Sequence, residues 1–258
     1  MIRDDNIDAY RLVLAAWGVQ DEEVSERGNT AFVQVSAAQG ELSNILRCVA
    51  WQGWAIQEFQ DLQPVSLTRD GPFLSVNYAF WEAISTLRES VLSGLNGQAH
   101  ASLAVLRSAL ELFTFHYWIQ RRLDQENSAQ PFYDWLLGTC AAPPFKNIAE
   151  DVFKRLDLPD GSTELDEFYD IYRELCSYVH KPLLRESLST IRGTAVPLMN
   201  DQVLSFWLGL LFRTQRVMLD LAIAAAPQAL FPVDLWRKFG FGDLPMGHFL
   251  DKTSYEIL

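Results

Sequence analysis

Residues Phe80-Trp-Glu-Ala-Ile84-Ser-Thr-Leu87-Arg-Glu-Ser-Val91-Leu-Ser-Gly-Leu95-Asn96-Gly97-Gln-Ala-His-Ala-Ser-Leu103-Ala-Val-Leu106-Arg107-Ser-Ala-Leu110-Glu111-Leu-Phe113-Thr-Phe-His-Tyr117 decide the fold. On both sides of Asn96-Gly97 the apolar residues return at steps of three and four, the period of a helix that buries one face. A strand would alternate at every second residue. Asn-Gly is a natural reversal point, so the two stripes predict an antiparallel helical hairpin.

The same period extends outward. Leu165, Phe168, Tyr172, Leu175 and Val179 form a third stripe, opened by the cap-like Gly161-Ser-Thr-Glu164 and closed at Lys181-Pro182. A fourth runs through Leu204, Trp207, Leu211, Met218 and Ala222 and stops before Pro227. Residues 40–62 and 6–17 read as further helices, and shorter ones are expected at 131–138 and at 145–157 behind Pro143-Pro144. Residues 18–38 stay ambiguous, because Ala31-Phe-Val-Gln-Val-Ser alternates like a strand. The Pro- and Gly-bearing tail from Pro227 reads as irregular, with one short helix near 232–239. No repeat, low-complexity tract or Ser/Gly linker marks a boundary. The expectation is one all-α domain over 1–258: an antiparallel helical bundle at about 70–226, extra N-terminal helices over 1–65, and an irregular C-terminal tail over 227–258.

Composition narrows the functional classes. With 49% apolar residues in 258, a sizeable core is available. A formal charge of -12 opposes broad wrapping of duplex DNA, which needs many cations on phosphates, so any RNA contact would be local. Cys48, Cys140 and Cys176 are odd in number and form no CxxC pair, which fits a reducing, cytoplasmic setting without disulfides. The start of the chain reads as no signal peptide. The most apolar segment, Val203 to Ala226, carries Arg213, Gln215, Arg216 and Asp220, so it is expected to be a buried helix and not a membrane span.

Arg173 and His180 are the leading catalytic candidates. Seven residues at 100° each come to about 700°, so the two share a helix face roughly 10 Å apart and could serve one anion. One Arg-x4-6-His match is about what chance supplies in such a chain, so context has to carry the weight. Arg173 follows Tyr172, and His180 follows Val179, one step past the third stripe. Arg107 and Glu111 lie one step past the second stripe as an i, i+4 pair. If the two helices run antiparallel, these offset strips fall on one side and gather into a polar cluster. The plainer alternative is that Arg173 pairs with Asp170 or Glu111 and that His180 meets the dipole at its helix C-terminus.

Other candidates are weaker. Ser177 lies one turn before His180, but Ser in a helix usually bonds to its own backbone. His100 reads as solvated, and His116 lies about 160° away on the same helix, so the two cannot share a metal. No Glu-x-x-His occurs, and neither a metal site nor a cofactor is expected. Asp166, Asp170 and Glu174 form an acidic ladder, read as a solvated face or as partners of Arg173. Most tryptophans read as core filling.

Leu106-Arg-Ser-Ala-Leu-Glu111, followed some sixty residues on by Tyr172-Arg-Glu-Leu-Cys-Ser-Tyr-Val-His180, resembles the helical HEPN superfamily over about residues 70–225. The resemblance implies a metal-independent endoribonuclease leaving 2′,3′-cyclic phosphate ends, with Arg173 and His180 catalytic and Arg107, Glu111 and Ser177 in support. It further implies a homodimer with facing motifs, an RNA substrate, and service as a toxin with an antitoxin or sensor partner, or in antiviral defence. Glu174 departs from the small polar residue often found after the family's arginine. Non-catalytic members also exist, so a helical module binding a partner protein or a nucleotide is the second expectation.

Overall fold

The computed structural model describes residues 4–26, 28, 32–33, 42–62, 73–126, 134, 137–139, 141, 143–154, 164–180 and 201–225. Within them lie seven α-helices and no strand: α1 (Asp4–Ala16), α2 (Ser43–Leu62), α3 (Phe73–Leu95), α4 (Ala99–Glu126), α5 (Phe145–Lys154), α6 (Glu164–His180) and α7 (Asp201–Ala225). The all-α class holds. Phe32 and Val33, in the stretch that alternates like a strand, are helical. The expected helix near 232–239 and the whole tail lie outside the described residues. Of 131–138, Asp134 is helical and Leu137-Gly138 a turn. None of the described helices is long and apolar enough to cross a membrane.

α3 and α4 reverse at Asn96-Gly97 as the sequence requires. Gly97 takes φ 79°, where a Cβ would be strained, and donates to the Gly94 carbonyl while Gln98 donates to Ser93. These paired bonds satisfy the last carbonyls of α3. α1 ends the same way at Gly18 (φ 57°), with Val19 donating to Leu14. Arg88 of α3 fastens that end: it donates to the carbonyls of Trp17 and Gly18 and pairs with Glu23 at 2.8 Å. The bond from the Gln20 amide, then Arg88, holds the Glu23 carboxyl below its ordinary value. That contribution is therefore present above pH about 4.5 and fades as pH falls through the lowered value.

The hairpin is tightly closed because small residues face one another inside it. Ser102 donates to the Ser90 carbonyl at 2.7 Å, and Ser90 donates back to the Ser102 carbonyl at 2.9 Å. Into this platform comes Trp207 of α7, fully buried, its indole N–H donating to Ser102 Oγ at 2.6 Å. Its ring lies so close to Gly94 that a Cβ there would sit 2.0 Å from Cζ2. Phe32 meets the same indole edge-on at 6.4 Å, so the N-terminal region shares the contact.

α4 lies at the centre, packing on α3, α5, α6 and α7, while α1 pairs with α2 and α2 packs on α7. His100 lies beside Tyr178 and Glu111 beside Tyr172, so α4 and α6 run antiparallel. Tyr178 beside Phe206 and Glu174 beside Arg213 make α6 and α7 antiparallel too. The stripes of α3, α4 and α7 named from sequence are all buried. α6 differs. Its buried residues are Phe168, Ile171, Leu175 and Tyr178, while Val179 is exposed and Tyr172 half-buried. The helix is rotated from the expected register because Tyr178, and not Val179, is seated in the core, against Phe206 of α7 and His100 of α4, while Phe145 and Phe153 of α5 cover Phe168, which both registers bury.

Two glycine substitutions should have opposite signs. Gly94→Ala forces the Trp207 ring away and should lower unfolding stability by about 2 kcal/mol despite the better helix propensity of Ala. Gly209→Ala on α7 meets no atom within 4 Å and should raise it by up to about 1 kcal/mol. Urea unfolding of both variants reads the difference. Equal shifts would contradict the packing described.

Candidate functional site

The polar groups that join α4 to α6 centre on Tyr172. Arg107 and Glu111, one turn apart on α4, form the expected pair: Nε and Nη2 of Arg107 approach Oε1 of Glu111 at 3.2 and 2.8 Å. The Tyr172 hydroxyl donates to that same oxygen at 2.7 Å and accepts from Arg107 Nη2 at 3.4 Å. The guanidinium also stands 5.6 Å from the centre of the Tyr172 ring. Arg107 and Glu111 are partly shielded, with side-chain exposures of 19% and 30%, so these bonds act in a medium drier than bulk water.

Burial pushes the Tyr172 phenol well above its ordinary value, and its bonds to Glu111 and to Cys176 push it further. Burial lowers the pKa of Arg107, but Glu111 and Tyr172 outweigh that and leave it raised. Both groups therefore hold their protons near neutral pH. The sequence places Tyr172 in the apolar stripe of α6 and gives it no partner. The readable sign of more was a tyrosine, not a phenylalanine, at a stripe position opposite a charged pair, since a buried hydroxyl needs a partner.

Arg173 lies elsewhere. The rotation of α6 carries it out of the edge of the buried face, and its side chain is 73% exposed. It pairs with Asp170 one turn back and donates to the Tyr169 carbonyl at 3.3 Å. Of the two partners expected for it, Asp170 has the arginine and Glu111 belongs to Arg107. His180 is the last residue of α6, so the helix is continuous through the whole Arg173 to His180 spacing; its side chain lies outside the described residues. Ser177 donates to the Glu174 carbonyl at 2.7 Å, the local backbone bond expected of a helical serine. Glu174 reaches Arg213 of α7 at 3.1 Å and not Arg173. His100, expected in solvent, is half-buried with its ring 6.0 Å from Tyr178. His116 is fully buried between Phe80 and Tyr117.

Two concavities flank the Tyr172 link. One, of about 380 Å³, is mostly apolar, lined by Leu112, Phe115, Pro143, Phe145 and Ile148 together with Ser108 and Glu111. The other, of about 440 Å³, is lined by Lys146, Glu150, Asp166, Tyr169, Tyr172 and Arg173. The Phe145 and Tyr172 rings, 4.4 Å apart, stand between them. Among the described residues no group of three or more His, Cys, Asp or Glu side chains is placed to hold a metal ion. Compared with known proteins, the chain matches no family model, no curated protein and no solved structure.

Tyr172→Phe removes a donor and strands part of Glu111, and should cost about 1–2 kcal/mol in urea unfolding at neutral pH. Because the folded phenol is raised above its ordinary value of 10.0, its contribution is complete below pH about 10 and is lost as pH rises through the folded value. The wild type should therefore lose stability above that pH more steeply than Tyr172→Phe. Parallel alkaline profiles would contradict the bond to Glu111.

Proposed function

We propose that the chain is a HEPN-like helical module that binds a partner at the corner of α4, α5 and α6, without catalysis. The pairing of Arg173 with Asp170 in open solvent carries this reading. A guanidinium that stabilises a phosphorane works when it is desolvated, fixed and uncompensated before the charge develops. An exposed arginine sharing its charge with a carboxylate one turn away is none of these, and such pairs contribute little. Arg107 is better shielded, but Glu111 and Tyr172 engage it. On this reading the Arg107, Glu111 and Tyr172 link holds the floor between two recognition surfaces.

A metal-independent endoribonuclease, acting as a toxin or antiviral effector, is the second reading. The continuity of α6 from Arg173 to His180, with Arg173 at the rim of an open concavity, favours it. His180 would take the proton of a ribose 2′-hydroxyl or deliver one to the leaving 5′-oxygen, and Arg173 would steady the phosphate. The products would be a 2′,3′-cyclic phosphate and a 5′-hydroxyl. A second copy of the chain would have to face the first to supply an enclosed site.

Labelled single-stranded RNA incubated in EDTA with the wild type, Arg173→Ala and His180→Ala separates the readings. The binding-module reading expects no cleavage above the no-protein control in all three. Metal-independent cleavage by the wild type that both substitutions abolish overturns it and establishes the nuclease.

A further inference from the structure

We infer that the apolar groove between α4 and α5 receives a basic amphipathic helix of a partner protein, its apolar side chains seated between Leu112, Phe115 and Ile148 and its Lys or Arg side chains on the carboxylates around them. This rests on the binding-module reading and names the partner's chemistry. The groove has about 380 Å³, enough for more than one large apolar side chain of a helix laid along it. Its walls come from two helices and Pro143, so it is preformed, which lowers the ordering cost of binding.

Charge selects the occupant. Glu111, which lines the groove, engages Arg107 and Tyr172 through Oε1, and no bond to its Oε2 occurs among the described residues. α5, which lines the groove, and α6, packed on it, carry Glu150, Asp151, Asp166, Glu167, Asp170 and Glu174 against Lys146, Lys154 and Arg173. Three of these carboxylates are engaged, Glu150 by Lys146, Asp170 by Arg173 and Glu174 by Arg213 of α7, and carboxylates still outnumber the cations on the two helices. Asp166 and Glu150 line the neighbouring concavity together with Lys146 and Arg173. With a chain charge of -12, a second copy would bring like charges together, whereas a basic helix finds complementary ones.

The test uses the full chain and two fluorescent synthetic helices of about sixteen residues with the same Leu at i, i+3, i+4 and i+7, one flanked by Lys and one by Glu. Anisotropy titration should show the Lys helix binding at least about tenfold more tightly than the Glu helix, with the difference shrinking as salt rises. Ser108→Arg, at an exposed rim position where folding is not at risk, should weaken the Lys helix by about tenfold or more, and Leu112→Glu likewise, with helical circular dichroism unchanged. No binding of the Lys helix, equal binding of the two helices, or binding indifferent to Ser108→Arg overturns the inference. So does a dimer of the chain in sedimentation that Ser108→Arg dissociates, since the groove would then belong to a second copy. Failure of the Lys helix together with absent RNA cleavage removes the groove proposal and leaves the non-catalytic reading standing. RNA cleavage lost in Arg173→Ala and His180→Ala removes that reading whatever the peptides do.

Discussion

The indole of Trp207, pressed on Gly94 and bonded to Ser102, is the contact on which the placement of the other helices depends. A tryptophan offers the largest apolar area of any side chain but carries one N–H that must be satisfied when buried. Gly94 gives it room, and Ser102 gives it an acceptor. Replacing such a fully buried ring by Ala generally costs about 3–5 kcal/mol, a large part of the stability of a typical domain. With Trp207 fixed, α7 has one depth and one rotation against the α3/α4 hairpin. Arg213 then meets Glu174 and Phe206 meets Tyr178, which sets α6 antiparallel to both α7 and α4. Only in that arrangement does the Tyr172 hydroxyl reach Glu111.

Much of this was legible in the residues. The stripes on α3, α4 and α7 name buried side chains correctly because a helix in a bundle core has one dry face, and hydrophobic spacing reports it directly. The reversal at Asn96-Gly97 was legible for a local reason: φ at Gly97 needs a residue without a Cβ. α6 was harder. Its sequence holds apolar or aromatic residues at 168, 171, 172, 175, 178 and 179, enough for two overlapping stripes, and spacing alone does not choose between them. Contact with α4 and α7 chooses, through His100 and Phe206 on Tyr178. That choice turns Val179 outward and moves Arg173 into solvent. α4 and α6 do run antiparallel, the condition for gathering the polar strips, yet the side chain that crosses from α6 to Glu111 is Tyr172, because the rotation of α6 brings Tyr172 to the edge and turns Arg173 away.

Electrostatics gives the corner of α4, α5 and α6 its character. An acidic chain places two adjoining hollows there, one dry and one lined with charges. Between them the Glu111 carboxylate is held by a guanidinium and a phenol and is kept from rearranging. A carboxylate fixed in this way shares its charge with Arg107 and holds one geometry. The same saturation reduces what Arg107 could offer a developing negative charge.

Hydrogen exchange of the indole N–H groups, followed by NMR on the protein labelled with ¹⁵N at its tryptophans, tests the central claim most directly, with the Trp207 signal assigned from Trp207→Phe. If Trp207 closes the core, its N–H should exchange only through global unfolding and be among the slowest of the indoles, far slower than that of the exposed Trp81. Exchange of Trp207 at a rate close to that of Trp81 would show that α7 leaves the hairpin without unfolding the domain, and would contradict the account.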